Sequence, residues 1–278
     1  MIWILITTGG ILFLIAAVIF CVAPGKMTPE AEKTMQIFKG LNCAHRGLHT
    51  EDQQVPENSI TAFLAAREGN YGVELDVQLT KDDKVIVFHD IDLKRACGVD
   101  ALVKDTDWKE LSTLSLFDTQ EHIPLLADAI EALGDTPVIV ELKYTGADKK
   151  KLCSETLKIL KSHGKQWCME SFDPRICSWF RKNAPDVLRG QLSCPPWEVI
   201  GLSKISKIIL GNLLINFMSR PHFVAYSNTL RPLIVRLCLS MKPKRMIWPV
   251  RPDHDIALCE KENDTIIFEY YKPKPRYR

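Results

Sequence analysis

"TPVIVELKYTGADKKKLCSETLKILKSHGKQWCMESF", Thr136 to Phe172, contains one complete unit of the fold. A short β-rich run, "TPVIVEL", is followed by a helix-like stretch, Ala147 to Gly164, and then by a second short run, "QWCMESF". Two strands joined through a crossover helix lie parallel in one sheet and are buried on both faces. The alternation extends both ways along the chain. "LNCAH" and "GVELDV" precede the unit, and "VLRGQLS", "HFVAYS", "RMIWPV" and "TIIFEY" follow it, with helical patterns between. The helix "SITAFLAAREGN" has Asn58 or Ser59 to cap its start and Gly69 or Asn70 to end it. Eight such strands predict an α/β fold of the closed (β/α)₈ TIM-barrel type over residues 41–273.

One segment breaks the alternation. "ELDVQLTKDDKVIVFHD" is strand, charged turn and strand with no room for a helix, so it reads as a hairpin centred on Asp82-Asp83. Such a centre pairs residues whose numbers sum to about 165, which sets Asp76 across from His89.

The flanks have a different character. Ile2 to Ala23 carries no charged residue, which predicts a transmembrane anchor over residues 1–24. A cleaved signal peptide would need a basic start, and none precedes Trp3. Lys26, Lys33 and Lys39 follow the run, so the positive-inside rule leaves the barrel on the cytoplasmic side of the membrane. Nine scattered cysteines, with no C-x-x-C pair, fit reduced thiols rather than a disulfide framework or a structural zinc site. Residues 25–40 read as a linker with one amphipathic turn, and residues 274–278 as a solvated basic tail. A net charge of +2 gives no case for a nucleic-acid partner. The apolar stretch "ISKIILGNLLINFM" reads as a buried barrel helix.

Several polar residues fall at the C-terminal ends of the strands, where barrel chemistry gathers. Glu74 and Asp76 are two apart on one strand and so share a face. Two carboxylates on an inward face are costly unless compensated, and a divalent cation with oxygen ligands is the simplest compensation. Glu141 ends another strand, with Lys143 two residues on. His45 and Arg46 stand together at the end of "LNCAH", ahead of Gly47 and of a loop carrying Glu57 and Asn58. Each feature alone is commonplace: an E-x-D is usually solvated, and a His-Asp after a strand is usually a turn.

Their combination is specific. H-R-G at His45, P-E-N at Pro56, E-L-D-V at Glu74, H-D at His89 and E-L-K at Glu141, in that order, resembles the glycerophosphodiester phosphodiesterase family. The resemblance extends through "SFD" at Ser171 to the tryptophan strand at Trp248. It implies His45 and His89 as an acid/base pair, and Glu74, Asp76 and Glu141 as ligands of a divalent cation, Mg²⁺ or Ca²⁺. Arg46 and Lys143 match the family's phosphate contacts, Glu57 and Asn58 order the first loop beside the substrate, and Trp248 faces it. Two positions depart from the pattern: "PVR" at Pro249 replaces the usual T-V-N, and Glu269 replaces an aspartate. Both lie on the last two strands and bear on substrate preference.

The implied reaction cleaves a glycerophosphodiester to glycerol 3-phosphate and an alcohol. A relative acting on lysolipids, releasing lysophosphatidate, is the alternative enzyme. A non-catalytic membrane adaptor would lack one of the polar positions, and none is missing. The attacking oxygen, from water or from a neighbouring glycerol hydroxyl, is open at this point. So are the roles of the two histidines, the alcohol, and the oligomeric state.

Overall fold

The computed structural model describes residues 2–162, 166–199 and 201–278, with side chains from Thr7 onward. Nine strands form one sheet: β1 Leu41–His45, β2 Gly72–Leu79, β3 Val85–Val87, β4 Val138–Leu142, β5 Trp167–Ser171, β6 Arg189–Ser193, β7 Phe223–Ser227, β8 Lys244–Val250 and β9 Thr265–Phe268. Their order is β1-β9-β8-β7-β6-β5-β4-β2-β3, and β1 also pairs with β2. Every pairing except β2–β3 is parallel, so eight strands close into the expected barrel with β3 as an antiparallel appendage.

Between β1 and β2 runs the helix Ile60–Glu68, capped by Ser59, whose side chain accepts from Ala62 N–H. The helix between β4 and β5 is Lys149–Ser162. The last predicted residues of this helix, His163 and Gly164, lie outside the described residues. Alternate strand residues pack outward against these helices, in a core that includes Phe63, Leu75, Val140, Met169 and Phe180.

The hairpin departs from its expected register by one residue. Val77 pairs with Val87 and Gln78 with Ile86. Asp76 therefore faces Phe88, whose N–H donates to the Asp76 carbonyl at 2.9 Å. The cause is the turn: Asp83 takes φ 62° and the Thr80 N–H closes on the Lys84 carbonyl, so the loop is centred on Asp82 rather than between Asp82 and Asp83.

Both flanks of the barrel are more ordered than their composition suggests. Within the expected linker lies a helix, Pro29–Phe38, with Thr28 as N-cap and Pro29 in its first turn. Its Ala31, Met35 and Phe38 are buried with Leu41, Ile139, Leu188 and Phe223. The expected solvated tail is also paired. Asn42 N–H donates to Pro275 O at 2.9 Å, and Tyr277 N–H to Gly40 O at 2.9 Å, which ties the C-terminus to the start of β1.

The first helix, α1, runs Ile2–Val22. Its C-terminal end packs on the barrel, where Val22 is buried with Leu213, Val224 and Cys238. Among the described residues no helix is long and apolar enough to cross a membrane. The expectation of a transmembrane helix is not met on that count.

Candidate active site

Strand register assembles the acidic centre. His45 pairs with Glu74 across β1–β2, Asp76 with Glu141 across β2–β4, and Glu141 with Glu170 across β4–β5. Glu74, Asp76 and Glu141 are 2%, 1% and 7% exposed, and each offers an oxygen within 4.8 Å of the others. Three carboxylates so close and so dry cannot all hold bare negative charge. Burial and the neighbouring acids push Glu74 well above the carboxylate range, and burial raises Glu141 to about 7. Burial alone would raise Asp76 too, but Lys143, His89 and Arg46 hold it well below. Lys143 Nζ lies 3.2 Å from Asp76 Oδ1 and 3.2 Å from Glu141 Oε1. An all-oxygen, charge-dense, convergent donor set of this kind fits a hard divalent cation.

The H-R-G turn has a steric explanation. Arg46 and Gly47 take φ 53° and 80°, so the chain leaves β1 through the left-handed region. A Cβ on Gly47 would lie 2.8 Å from Ala62 Cβ, so only glycine lets the turn approach the following helix. The turn aims the Arg46 N–H at Glu74 Oε2, 3.1 Å away. Arg46 Nη1 donates to Glu57 Oε1 at 2.8 Å, and its Nε lies 3.5 Å from Asp76 Oδ2.

Glu57 and Asn58, expected at the substrate, sit behind these groups. Both are buried. Glu57 takes Arg46 on one side and Arg95 on the other, at 2.6 and 3.1 Å. Asn58 Nδ2 donates to Asp76 Oδ2 at 2.9 Å, and its N–H to Arg46 O at 2.8 Å. The P-E-N motif braces Arg46 and Asp76, and neither Glu57 nor Asn58 lines the pocket.

The two histidines come from different sides. His45 Nδ1 lies 2.7 Å from Glu269 Oε2, with Nε2 3.8 Å from Glu74 Oε2. Glu269 Oε1 accepts from Arg251 Nε at 2.6 Å. The two departures from the family pattern are therefore partners of each other and of His45, so they bear on the reacting groups rather than on substrate preference alone. Burial and the Arg46 charge lower His45 to about 4 against the pull of Glu269. Burial would raise Glu269, yet its bonds to His45 and Arg251 bring it to about 2. His89 Nδ1 bonds Asp90 Oδ1 at 2.7 Å, and Asp90 Oδ2 accepts from Arg95 Nε at 2.6 Å. Arg95 thus links the His89 side to the Glu57 brace. Burial lowers His89, with nearby Asp76 opposing.

These groups open into one cavity of about 800 Å³, lined by His45, Arg46, Glu74, His89, Glu141 and Lys143 and, on the far wall, by Glu170 and Trp248. The Trp248 indole N–H is buried without a hydrogen-bond partner, and its ring packs edge-on to Phe172 at 5.5 Å. Sequence reasoning missed Glu170, Asp90, Arg95 and Arg251. Glu170 had a legible signal, since it holds on β5 the place that Glu141 holds on β4. Arg251 showed only as part of the PVR departure, and Arg95 had no signal, because their bonds to Glu269 and Glu57 appear only when the chain is folded.

A closed parallel barrel with carboxylates, two histidines and two fixed cations converging at its C-terminal rim defines a metal-assisted hydrolase of phosphate esters. Residues 45–269 match the glycerophosphoryl diester phosphodiesterase family. The chain belongs to that family. A glycerophosphodiester phosphodiesterase of Caldanaerobacter subterraneus is 33% identical over 182 residues, covering 58% of this chain and 72% of the relative. A human lysophospholipase D is 33% identical over 140 residues, covering 46% of this chain and 44% of that protein. Among solved structures, an Oleispira antarctica phosphodiesterase in complex with sn-glycerol-3-phosphate superimposes with a TM-score of 0.67 at 22% identity, over 86% of this chain and 96% of that one. A Thermotoga maritima glycerophosphodiester phosphodiesterase gives 0.60 at 25%, over 82% and 93%.

Proposed function

We propose that this chain hydrolyses glycerophosphodiesters to glycerol 3-phosphate and an alcohol, with Glu74, Asp76 and Glu141 holding a divalent cation, Mg²⁺ or Ca²⁺. What carries the reading is the convergence of those three carboxylates within 4.8 Å, facing Arg46 and Lys143. When bound, the cation withdraws charge from a non-bridging phosphate oxygen. Arg46, locked by Glu57, presents a planar fork to the phosphate, and Lys143 supplies a point charge. Both stand where negative charge grows in the transition state.

His45 acts as the base. Glu269 accepts its Nδ1–H, which leaves the lone pair on Nε2, and burial beside Arg46 keeps the ring neutral. His89 delivers a proton to the departing alcohol, its charged form favoured by the bond to Asp90 and by nearby Asp76 against the burial that lowers it. The test is His89→Ala on two substrates. Choline ester cleavage should fall by about 10²–10⁴-fold, while a nitrophenyl ester, whose leaving group needs no proton, should keep most of its rate. An equal loss on both substrates rejects His89 as the acid.

Residence at a membrane, with the barrel on the cytoplasmic side, belongs to the same proposal. The backbone of α1 is helical over 21 residues, its sequence has no charge, and Leu12, Phe13 and Leu14 are 61%, 73% and 64% exposed. In water such a helix would hold an apolar surface open to solvent, so lipid is its natural cover. Carbonate extraction and protease protection in sealed vesicles test this. Release of the chain by carbonate rejects the lipid seat, and digestion from the outside of intact cells rejects the orientation.

A further inference from the structure

Outside the carboxylate pocket, a groove of about 590 Å³ lies between the helices Leu233–Ser240 and Ile256–Glu262, which follow β7 and β8. Arg231, Arg236 and Arg245 line it against one carboxylate, Glu262. Arg231 Nη1 lies 3.6 Å from Glu262 Oε2, and its Nη2 donates to Asn263 Oδ1 at 3.3 Å. Arg245 Nη2 donates to the neutral Leu239 carbonyl at 3.1 Å. Among the described residues no carboxylate pairs with Arg236 or Arg245. Burial lowers the Arg231 pKa, with Glu262 opposing and Arg245 adding to the fall. Like charges gathered in a partly desolvated wall favour an anion between them.

The mouth of the groove is apolar. Leu230 and Leu258 line it yet are 78% and 48% exposed, and Leu233, one turn on from Leu230, is 80% exposed. The inner face of the same helix, Val235 and Cys238, is buried with Val22 at the end of α1. Apolar surface recurs after β6. There the helix Lys204–Gly211 is not the buried barrel helix its composition suggests, because Ile205 and Ile208 are 72% and 53% exposed. Guanidinium groups edged by exposed leucines match a phosphate whose hydrocarbon lies beside it.

We propose that this groove binds a phosphate group, and that the headgroup of an anionic phospholipid supplies it. Arg231, Arg236 and Arg245 take the phosphate oxygens, and Leu230, Leu233 and Leu258 sit in the lipid around it. The role is docking, so no bond is made or broken there. The inference stands apart from the phosphodiesterase reading, because none of the groups assigned to catalysis lines the groove. Asn228 and Thr229 wall both the groove and the carboxylate pocket, so a headgroup held there sets the catalytic mouth beside the lipid surface.

The experiment melts the full chain in dodecylmaltoside micelles with EDTA, so that without a cation the catalytic carboxylates repel added anions. The micelles carry increasing phosphatidate or phosphatidylcholine, and a third arm adds inorganic phosphate to plain micelles. Phosphatidate at about a hundred times its Kd should raise Tm by about 5 °C, and phosphatidylcholine should raise it far less. Arg236→Glu, at an exposed position, should weaken the apparent Kd for phosphatidate by about tenfold or more. Glu262→Gln, which removes the competing carboxylate, should tighten it. Lys109→Glu makes the same charge change at an exposed position outside the groove and should leave the Kd unaltered. An equal loss in Lys109→Glu means bulk attraction to charged micelles and overturns the groove. So does a phosphatidate response that is absent, matched by phosphatidylcholine, or undiminished in Arg236→Glu. Inorganic phosphate acting as strongly as phosphatidate, with loss in Arg236→Glu, keeps the phosphate site and overturns the lipid as its source.

Discussion

Glu269→Gln should convert His45 from a base into an idle ring while leaving its position almost unchanged. Glu269 now accepts from both sides: Arg251 Nε at 2.6 Å on one oxygen and His45 Nδ1 at 2.7 Å on the other. A glutamine has one oxygen and one amide nitrogen. Arg251 can only donate, so it claims the oxygen and turns the NH₂ toward His45. His45 Nδ1 must then accept, its proton moves to Nε2, and the lone pair that faced the pocket is gone. The loss is that of one general base, about 10²–10⁴-fold in kcat/KM, or about 3–5 kcal/mol at 1.36 kcal/mol per decade. KM should stay within about threefold, because Arg46 and Lys143 are untouched. The assay is steady-state cleavage of glycerophosphocholine, with a melting curve to show that the barrel is intact. A second variant sharpens the test. Adding Arg251→Ala to Glu269→Gln frees the amide to flip, so the double variant should be more active than Glu269→Gln alone. A loss under threefold for Glu269→Gln, or a double variant that simply compounds the single losses, would refute the tautomer argument.

Other consequences are simpler to state. Stripping divalent cations with a chelator should abolish turnover, and Glu74→Gln should stay inactive after metal is restored; without metal that variant should melt about 2 °C or more above the unaltered protein, because one of three crowded acids is gone, and a lower melting temperature would contradict the crowding. Gly47→Ala should destabilise by more than about 1 kcal/mol in urea titration, since φ is 80° and the added carbon would meet Ala62 at 2.8 Å. His222, buried beside Arg189, is lowered by burial from 6.5 to about 3. The unfolded chain takes up that proton first, so the contribution to stability is whole above about pH 6.5 and is lost as pH falls toward 3, at up to about 1.4 kcal/mol per unit. Urea midpoints across that range for His222→Leu should show a shallower decline, and an unchanged slope would exclude His222 as the cause.

The sequence alone determined the barrel and most of its chemistry, for a local reason. Strand and helix periods are written in short windows, and a parallel barrel places every C-terminal strand end on one rim. Residues such as His45, Glu74, Asp76, Glu141 and Lys143 could be gathered there without knowing any distance. Spacing alone set Glu74 and Asp76 on one face, because side chains alternate along a strand. What the sequence could not determine was anything that depends on which distant groups meet. The one-residue shift of the hairpin came from a single left-handed residue in its turn, Asp83. Glu57 and Asn58 were visible as a motif, but only packing shows that they face Arg46 and Asp76 rather than the pocket. The helix Pro29–Phe38 and the C-terminal segment looked like linker and tail because their few apolar groups carry weak local signals, and the barrel supplies the surface that orders them. The Arg251–Glu269–His45 chain joins residues up to 224 positions apart, so two apparent irregularities in the sequence become one device only when β1 closes against β9.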